Sequence, residues 1–290
     1  MILMIHELIE YYSKFDPGIS VEHYEFAVRR GNKFVRHLGF KSLEELRRYL
    51  SRPPIPEDVY RSTYICLSPS SQDMDEKMIK MTELFFEIDL EFDYLNDRIL
   101  DDMKFELWKL VDCLRYEFGV SESDLKINFS GHRGFHVIVR DKDFINLDQD
   151  QRAEIVEYMT NPDCRYIKES FVVFRGRLSR ISRLIGHSIE KFSVIKIDPK
   201  SSIDIHRLKR LEESIHPCGL KASVISIDEI DEFSPFIQEY SWIDGTCLFD
   251  SKIDDVIGGY RIHRGLNRLP IIIANYLSNR GLGEIKKIEK

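Results

Sequence analysis

The centre of the sequence reads Lys126-Ile-Asn-Phe-Ser-Gly-His-Arg-Gly-Phe-His-Val-Ile-Val139. Apolar residues dominate both ends, which predicts two strands, Lys126 to Phe129 and Phe135 to Val139. The polar segment Ser130-Gly-His-Arg-Gly134 would join them. The sequence therefore predicts two neighbouring strands with a polar turn at one end.

The predicted turn carries groups that suit a phosphate ligand. Gly131 and Gly134 allow a tight turn that exposes backbone N–H groups, the arrangement by which loops cradle phosphates. Ser130 adds a hydroxyl, Arg133 a forked cation and His136 a further donor, and together they suit a triphosphate. An ordinary glycine-containing hairpin is the alternative. It explains the glycines but not the three polar side chains.

The segment Leu84-Phe-Phe-Glu-Ile-Asp89, upstream of the turn, predicts a buried strand. Residues i and i+2 of a strand share a face, so Glu87 and Asp89 would lie side by side. Two carboxylates among apolar neighbours are costly unless something neutralises them. Mg²⁺ would do so, since it binds one or two carboxylates together with substrate phosphates. The alternative is a strand end with both acids in water.

A third carboxylate and a basic segment follow the turn. Asp198 ends an apolar strand pattern, and Arg210 and His216 follow it at twelve and eighteen residues. The segment from Cys164 to Arg210 holds twelve Lys and Arg against four Asp and Glu, in a chain of net charge −7. This favours a polyanion held at one place. A solvated basic helix with an incidental Asp198 is the alternative.

The remaining segments predict a mixture of helices and strands. Ser42-Leu-Glu-Glu45 is a capping box that opens a short helix to about Leu50. The other predicted elements are helices over Met1 to Tyr12, Arg98 to Phe118 (with Gly119 as its stop) and Asp150 to Met159, and strands over Phe192 to Ile197 and Ala222 to Ile227. Because strict βαβ alternation is missing, the predicted fold class is α+β.

Length, composition and charge exclude several classes of protein. With 290 residues, 43% hydrophobic and 31% charged, the chain is neither disordered, collagen-like nor a disulfide scaffold. A net charge of −7 excludes a globally basic nucleic-acid-coating protein. No apolar stretch approaches the roughly 18 residues of a membrane span, and no signal peptide is recognisable, so we expect a soluble, intracellular protein without membrane contact. Five dispersed cysteines predict reduced thiols.

Taken in order, these motifs resemble the small, catalytic subunit of the archaeal and eukaryotic type of DNA primase. The family pattern is an acidic-x-Asp pair, Ser-Gly-x-Arg-Gly-x-His, a lone Asp, a basic residue and Ser-hydrophobic-His. The matching residues are Glu87-Ile-Asp89, Ser130-Gly-His-Arg-Gly-Phe-His136, Asp198, Arg210 and Ser214-Ile-His216. The resemblance extends to Tyr24-Glu-Phe-Ala27, Phe34-Val-Arg-His-Leu-Gly-Phe40, Val59-Tyr60 and Phe233-Ser-Pro-Phe236, and thus covers most of the chain.

The resemblance implies a role for each matching residue. Glu87, Asp89 and Asp198 would be the catalytic residues and would hold two divalent ions, Mg²⁺ or Mn²⁺. The residues implied to bind the nucleotide are Ser130, Arg133, His136, Arg210, His216 and, along the pocket, Arg36. The basic residues from Arg165 to Arg183 would hold the single-stranded template by phosphate contacts. The implied activity is RNA primer synthesis on single-stranded DNA from nucleoside triphosphates, with release of pyrophosphate.

Three departures from the family pattern bear on this reading. Glu87 stands where the family usually has Asp, and its extra methylene would lower activity or bias it toward Mn²⁺. Asp93 or Glu91 is the alternative ligand, although neither has the family's spacing. Only Cys113 lies between the acidic pair and the Ser-Gly turn, so no zinc knuckle is expected there. Pro217-Cys218-Gly219 stands where relatives often have a basic residue, which weakens the expected phosphate contacts at that edge.

The resemblance also implies a partner and an architecture. The partner would be the primase large subunit, which carries the iron–sulfur cluster; this chain lacks four suitably spaced Cys ligands for one. We expect one catalytic domain over residues 1–290, with a central mixed sheet and a minor helical and basic subregion at about 150–192. The three carboxylates should converge across the sheet. The apolar segment Leu269 to Ile273 is either core or the large-subunit interface.

Two other functions remain open at this point. One is a polymerase of the same fold that extends existing primers in repair or damage bypass. The other is a non-catalytic relative that binds nucleic acid or scaffolds a replication complex. Acidic residues at all three metal positions argue against the second. The compact length and the missing zinc knuckle favour an archaeal source, with the protein in the cytoplasm or nucleoid.

Overall fold

A computed structural model describes residues 4–160, 164–168, 171–175 and 194–289, with only the backbone given for the two short ranges. The side chains from Arg165 to Arg183, expected to hold the template, lie outside the described residues, as does most of the subregion expected at about 150–192.

Helices and strands follow one another irregularly along the chain, which confirms the α+β class. The helices are α1 (Ile5–Ser13), α2 (Leu43–Leu50), α3 (Asp97–Asp112), α4 (Gln149–Thr160), α5 (Pro199–Ile203) and α6 (Ile271–Asn279). The strands are β1 (Tyr24–Arg30), β2 (Lys33–Leu38), β3 (Asp58–Cys66), β4 (Ile79–Thr82), β5 (Leu84–Asp89), β6 (Leu125–Phe129), β7 (Gly134–Val139), β8 (Cys164–Lys168), β9 (Phe171–Arg175), β10 (Leu208–Arg210), β11 (Val224–Ile225), β12 (Thr246–Ser251), β13 (Asp255–Ile257), β14 (Tyr260–Ile262), β15 (Gly265–Pro270) and β16 (Gly283–Glu289). No helix among the described residues is long and apolar enough to cross a membrane.

The sheet that contains both central strands has the order β11-β6-β7-β5. The prediction of a strand from Leu84 to Asp89 is confirmed as β5, and β6 and β7 begin and end within one residue of their predicted bounds. Every pairing in this sheet is antiparallel, so the expected mixed sheet is corrected. Helix α3 connects β5 to β6, which run in the same direction, but β7 lies between them and pairs antiparallel with both. Strand β7 is buried at every position, because the main apolar core packs against it.

A second sheet has the order β10-β3-β1-β2, with β4 paired to β3. One face is apolar and packs against α1 and α2; Phe26, Leu46 and Val59 belong to this core. Strand β2 is an edge of the sheet and is the more exposed half of the hairpin it forms with β1. The second sheet therefore has an apolar core of its own, and its edge strand β2 is exposed to solvent.

The third sheet, β15-β12-β16, packs against helix α6. The segment Leu269 to Ile273 links them, and Leu269, Ile271, Ile272 and Ile273 are at most 4% exposed. This segment is core of the chain itself, so the alternative of a large-subunit interface is wrong for it.

The predicted helix ends agree with the structure where capping groups define them. The Ser42 hydroxyl accepts from the Glu45 N–H at 3.2 Å, and the Glu45 carboxylate accepts from the Lys41 N–H, one residue before the expected donor. Helix α3 ends at Asp112 and continues as a π turn to Glu117. Gly119 then takes a φ of +76°, which only glycine adopts without strain, and this residue stops the helix as predicted.

Three predicted elements differ from the structure. The described part of the strand expected over Phe192 to Ile197 forms no ladder; its Ile195 N–H donates to Met159 instead. Of the strand expected over Ala222 to Ile227, only β11 pairs, because a 3-10 turn capped by Ser226 begins directly after it. The stretch after Arg207, with a basic helix as its alternative, contains strand β10, which pairs with β3.

A buried ion cluster joins the two larger sheets. Arg61 of β3 is fully buried; its Nε and Nη2 donate to Glu212 at 2.9 and 2.8 Å, and its Nη1 donates to Glu83 at 2.9 Å. Lys209 and Lys126 also contact Glu212. Burial raises the pKa of Glu212, but the charges of Arg61 and Lys209 outweigh it and hold the pKa well below its usual range. The cluster therefore fixes β10 and the start of β5 against β3.

Replacing Arg61 with Met should destabilise the fold strongly. The substitution leaves the buried carboxylates of Glu83 and Glu212 without their main counter-ion, which typically costs about 3–5 kcal/mol. Urea unfolding measures the loss. Arg48→Met is the matched control, because Arg48 pairs with Glu44 on the surface and such pairs contribute at most about 1 kcal/mol. An equal, small loss in both variants would contradict the central place of Arg61.

The buried Lys209 should make stability depend on pH. Burial, and then the charge of Arg61, lower the pKa of Lys209 from 10.5 to about 7. Between these two values the folded chain binds fewer protons than the unfolded chain, so the free energy of unfolding rises with pH across that window. Lys209→Met should flatten this rise in urea unfolding, whereas Lys33→Met, at an exposed lysine, should keep the wild-type slope. Equal slopes in all three proteins would refute the assignment.

Candidate active site

Strands β5 and β7 place the first group of polar residues. In their register Glu87 lies opposite His136 and Asp89 lies opposite Gly134. On the other side of β7, His136 lies opposite Asn128. Because residues opposite one another share a face, Glu87, His136 and Asn128 form a polar row across the sheet. His136 Nε2 lies 3.7 Å from Glu87 Oε1.

Asp198 meets Glu87 although 111 residues separate them in the sequence. The Asp198 N–H donates to the Glu87 carbonyl at 2.8 Å, and Asp198 then caps helix α5 by accepting from the Lys200 N–H. Ser201, on the first turn of α5, has its Oγ 2.6 Å from both Glu87 Oε2 and Asp198 Oδ2. Asp198 is thus brought to the strand that carries the acidic pair.

The Ser201 contacts suit a hard cation beside these carboxylates. A hydroxyl has one hydrogen, so Ser201 can donate to only one of the two oxygens that face it. Arg207 Nη2 offsets part of the remaining charge, at 3.5 Å from Glu87 and 3.9 Å from Asp198. The donor atoms are all carboxylate or hydroxyl oxygens, the kind that Mg²⁺ and Mn²⁺ bind. The donor set therefore fits a divalent ion.

Asp89 is engaged elsewhere. Its Oδ2 accepts from Arg133 Nη2 at 2.7 Å, and both side chains are partly exposed. Within the described ranges, no three His, Cys, Asp or Glu side chains stand close enough together to hold an ion. The structure therefore brings two of the three expected carboxylates together and leaves Asp89 on Arg133.

Charge explains the protonation of this acidic pair. Burial raises the pKa of Glu87, but its contacts with His136 and Ser201 and the charge of Arg207 outweigh it and lower the pKa. The pKa of Asp89 is raised by burial and by the neighbouring Glu87, against the opposing charge of Arg133. The environment thus favours ionisation of Glu87 and opposes that of Asp89.

Packing requires the two glycines of the Ser130–Gly134 turn. A Cβ on Gly134 would lie 1.6 Å from the Ile88 carbonyl oxygen, because β5 passes directly against the turn. Gly131 has a φ of +79°, and its Cβ would lie 3.2 Å from His216 Cβ. The Ser130 Oγ accepts from the N–H groups of His132 and Gly134, at 3.3 and 3.2 Å. These two N–H groups are therefore engaged within the turn, while the Ser130 proton stays available to a ligand.

The turn opens into a small pocket of about 200 Å³. Arg207, just before strand β10, and Arg210, at its end, supply cations to the pocket. The lining residues are Tyr60, Phe85, Glu87, Asp89, Ser130, His132, Arg133, His136, Arg207, Leu208, Lys209, Arg210 and His216. Arg36, expected to line the pocket, does not; it lies on β2 and donates to Glu25 at 3.0 Å. Three arginines and two carboxylates thus share one pocket, which suits an anion bound together with a cation.

Arg210 is held rigidly at the pocket wall. Its Nη2 donates to Asp58 at 2.7 Å, and its guanidinium lies 5.1 Å from the centre of the Tyr60 ring. Its Nη1 is buried without a hydrogen-bond partner. A buried, unpartnered donor on a fixed cation is costly unless a ligand accepts from it. Arg210 therefore has a donor to offer to an anion in the pocket.

The three pocket histidines are neutral donors rather than cations. His132 stacks on His216, with ring centres 4.4 Å apart. Burial, and then the charges of Arg280 and Arg133, lower the pKa of His132 to about 4. Burial and the charge of Arg210 lower the pKa of His216, and burial lowers that of His136. The positive charge of the pocket at neutral pH therefore comes from its arginines.

Sequence reasoning missed Ser201, Arg207 and Lys209. Ser201 had a detectable pattern, because Asp198-Pro199 is typical of a helix N-cap and first position, and a helix places residues three apart on one face. Arg207 and Lys209 were counted only within the basic segment from Cys164 to Arg210, and the pairing of β10 with β3 is what brings them to the pocket.

Comparisons with known proteins agree on one family. A family model described as DNA primase small subunit matches residues 88–225. The chain is 30% identical over 312 residues to the DNA primase small subunit PriS of Pyrobaculum islandicum, with 94% of this chain and 95% of the relative covered. It is 32% identical over 316 residues to that of Pyrobaculum arsenaticum, with the same shares covered.

The fold is shared with solved structures, among them the polymerase domain from Mycobacterium tuberculosis ligase D in complex with DNA, with a TM-score of 0.50 and 11% identity. The similarity covers 82% of this chain and 85% of that domain.

Arg210→Met should weaken binding of inorganic tripolyphosphate to the pocket about tenfold or more, because a hydrogen bond to a charged group contributes about 1.5–3 kcal/mol. Isothermal titration measures the affinity. Arg29→Met is the matched control, since Arg29 also pairs with Asp58 but does not line the pocket. If the two variants bind alike, the pocket is not the anion site.

Proposed function

The chain belongs to the DNA primase small-subunit family, and we propose that it is the nucleotidyltransferase that starts RNA primers on single-stranded DNA. One observation carries the proposal: Glu87 contacts Asp198 through Ser201 and also lines a pocket together with Arg133, Arg207 and Arg210. Carboxylates for a metal and cations for a triphosphate are the two requirements of nucleotidyl transfer, in which positioning and charge neutralisation dominate.

Glu87, Asp198 and Asp89 would hold Mg²⁺ or Mn²⁺. When bound, two such ions help a 3′-hydroxyl attack the α-phosphate and stabilise the departing pyrophosphate. The support is the oxygen-only donor set and the single Ser201 proton that faces two carboxylate oxygens. Glu87 is longer than the family's usual Asp, which favours Mn²⁺, the ion less strict in its geometry, over Mg²⁺.

The pocket residues would hold the triphosphate. Arg210 donates through its free Nη1, Ser130 through its hydroxyl, and His136 and His216 through neutral N–H groups. Arg133 has two candidate partners, Asp89 and the ligand. If phosphate oxygens accepted the hydrogen bond from Arg133, Asp89 would be free to join Glu87 and Asp198 at the metal site. Nucleotide binding would then help to complete the metal site.

The partners that we propose are a primase large subunit, a single-stranded DNA template and nucleoside triphosphates. The first follows from the family, in which the small subunit acts with a large one that carries the iron–sulfur cluster. A second candidate function has one observation in its favour: the fold is shared with the polymerase domain of a ligase. It is extension of an existing primer in repair or bypass, which uses the same chemistry but a different start.

Asp89→Ala and Asp198→Ala should each abolish primer synthesis, because either change removes a carboxylate from the metal site. The assay uses the purified chain, unprimed single-stranded DNA, labelled nucleoside triphosphates and Mg²⁺ or Mn²⁺, with products resolved on a gel. Asp93→Ala is the matched control, an exposed acid four residues beyond β5 that should leave synthesis unchanged. Glu87→Asp should raise synthesis with Mg²⁺ relative to Mn²⁺.

The same assay separates the alternatives. Product without primer, lost in both variants, supports primase activity. If the chain extends a supplied primer but starts none, even with the large subunit present, the result would favour the repair or bypass polymerase. If the chain makes no product and shows no metal-dependent nucleotide binding, the result would favour a non-catalytic relative.

A further inference from the structure

One face of the β10-β3-β1-β2 sheet continues outward from the pocket. Arg29 pairs with Phe34 on one side and with Asp58 on the other, and Tyr60 pairs with Arg210. Paired residues share a face of a sheet, as do residues two apart on a strand. Arg29, Phe34, Asp58, Tyr60 and Arg210 therefore lie on one face, and the last two also line the pocket.

Phe34 is the exposed aromatic residue of this face. Its side chain is 52% exposed, although it lies in the edge strand between Lys33 and Val35. The ring meets Tyr60 edge to face, with centres 5.7 Å apart, and the Arg210 guanidinium lies over the Tyr60 ring. Single exposed apolar residues are common on protein surfaces. Phe34 differs because it contacts Tyr60, and Tyr60 and the neighbouring Arg210 both line the pocket.

Charge around Phe34 favours a polyanion. Between Glu25 and Glu44 the chain has five basic residues and no acidic one: Arg29, Arg30, Lys33, Arg36 and Lys41. Arg29 shares the face of Phe34, and its side chain is 43% exposed although it contacts Asp58 and Glu57. Lys33 is exposed but, as the strand neighbour of Phe34, lies on the opposite face. An exposed ring beside a cation is the arrangement that binds single-stranded nucleic acid, with bases stacked on the ring and phosphates on the cation.

Charge favours a strand over the base of a nucleotide held in the pocket as the ligand of Phe34. Neither Phe34 nor Arg29 lines the pocket. A nucleotide whose triphosphate lies among the pocket residues has no further phosphate for Arg29, whereas a strand stacked on Phe34 carries phosphates beside the ring. The strand that is present before any synthesis is the template.

We infer that Phe34 is a stacking platform for a base of the single-stranded DNA template, with Arg29 on its phosphates. The inference deepens the proposed function and rests on it for the identity of the strand. The stacking interaction can be tested apart from the proposed function, since stacking on Phe34 requires no metal, no nucleoside triphosphate and no catalysis.

The test is the affinity for fluorescent oligodeoxythymidylate of about 16 nucleotides, measured by anisotropy at several salt concentrations, without metal or nucleotide. Phe34→Ala should weaken binding about tenfold at every salt concentration, within the range that stacking contributes per base. It should not change the slope of log affinity against log salt. Arg29→Met should instead reduce that slope by about 0.7, the value for one phosphate contact on a single strand.

Matched variants isolate the ring. Phe34→Tyr keeps an aromatic face and should bind like the wild type. Phe34→Leu keeps apolar area without that face and should bind like Phe34→Ala. Tyr116→Ala removes another exposed aromatic residue, 73% exposed and on the π turn after α3, and should have no effect. Equal thermal unfolding temperatures show that the variants are folded.

Affinity of Phe34→Ala within twofold of the wild type would overturn the inference, whether or not the chain makes primers. An unchanged affinity for DNA with a raised KM for nucleotides would also overturn it, since the ring would then contact the incoming base. Loss of DNA affinity in a chain that makes no primers would uphold the platform and count against the proposed function alone.

Discussion

The constraint on which the rest of the molecule depends is the neutralisation of two fully buried carboxylates, Glu83 and Glu212, by Arg61. Glu83 immediately precedes β5, and Glu212 follows β10 after one residue. One guanidinium therefore holds the strand that carries the acidic pair and the strand that carries the cations. A hydrophobic contact would allow sliding, whereas a forked donor with two carboxylate partners fixes distance and direction.

That constraint explains how opposite charges coexist in the pocket. Arg133 on Asp89 and Arg207 beside Glu87 and Asp198 keep the acids partly neutralised, and Asp58 does the same for Arg210. Each cation that a phosphate would use is thus already next to a carboxylate. Ligand binding in such a site is an exchange of partners and not a burial of new charge, which lowers its desolvation cost.

Local patterns in the sequence were sufficient for much of the fold. The strand from Leu84 to Asp89, the strands around Ser130–Gly134 and the Ser42 cap were all predicted, because alternation, glycine and capping act over a few residues. Local patterns did not predict that Asp89 pairs with Arg133. They also did not predict where Ser201, Arg207 and Arg36 lie. These placements depend on register between strands far apart in sequence, and no local pattern encodes register. The ion cluster of Arg61 was missed for the same reason.

The close approach of Gly134 to the Ile88 carbonyl oxygen has a consequence for how variation in this family should be interpreted. At that position every side chain, even a methyl group, is excluded by the neighbouring backbone, so a survey of substitutions would find it intolerant. Yet no ligand atom needs to touch it. Intolerance there reports the clearance between two chain segments, and it should not be counted as evidence of chemistry. The polar positions beside it, Ser130 and Arg133, are those at which loss of activity with a retained fold is informative.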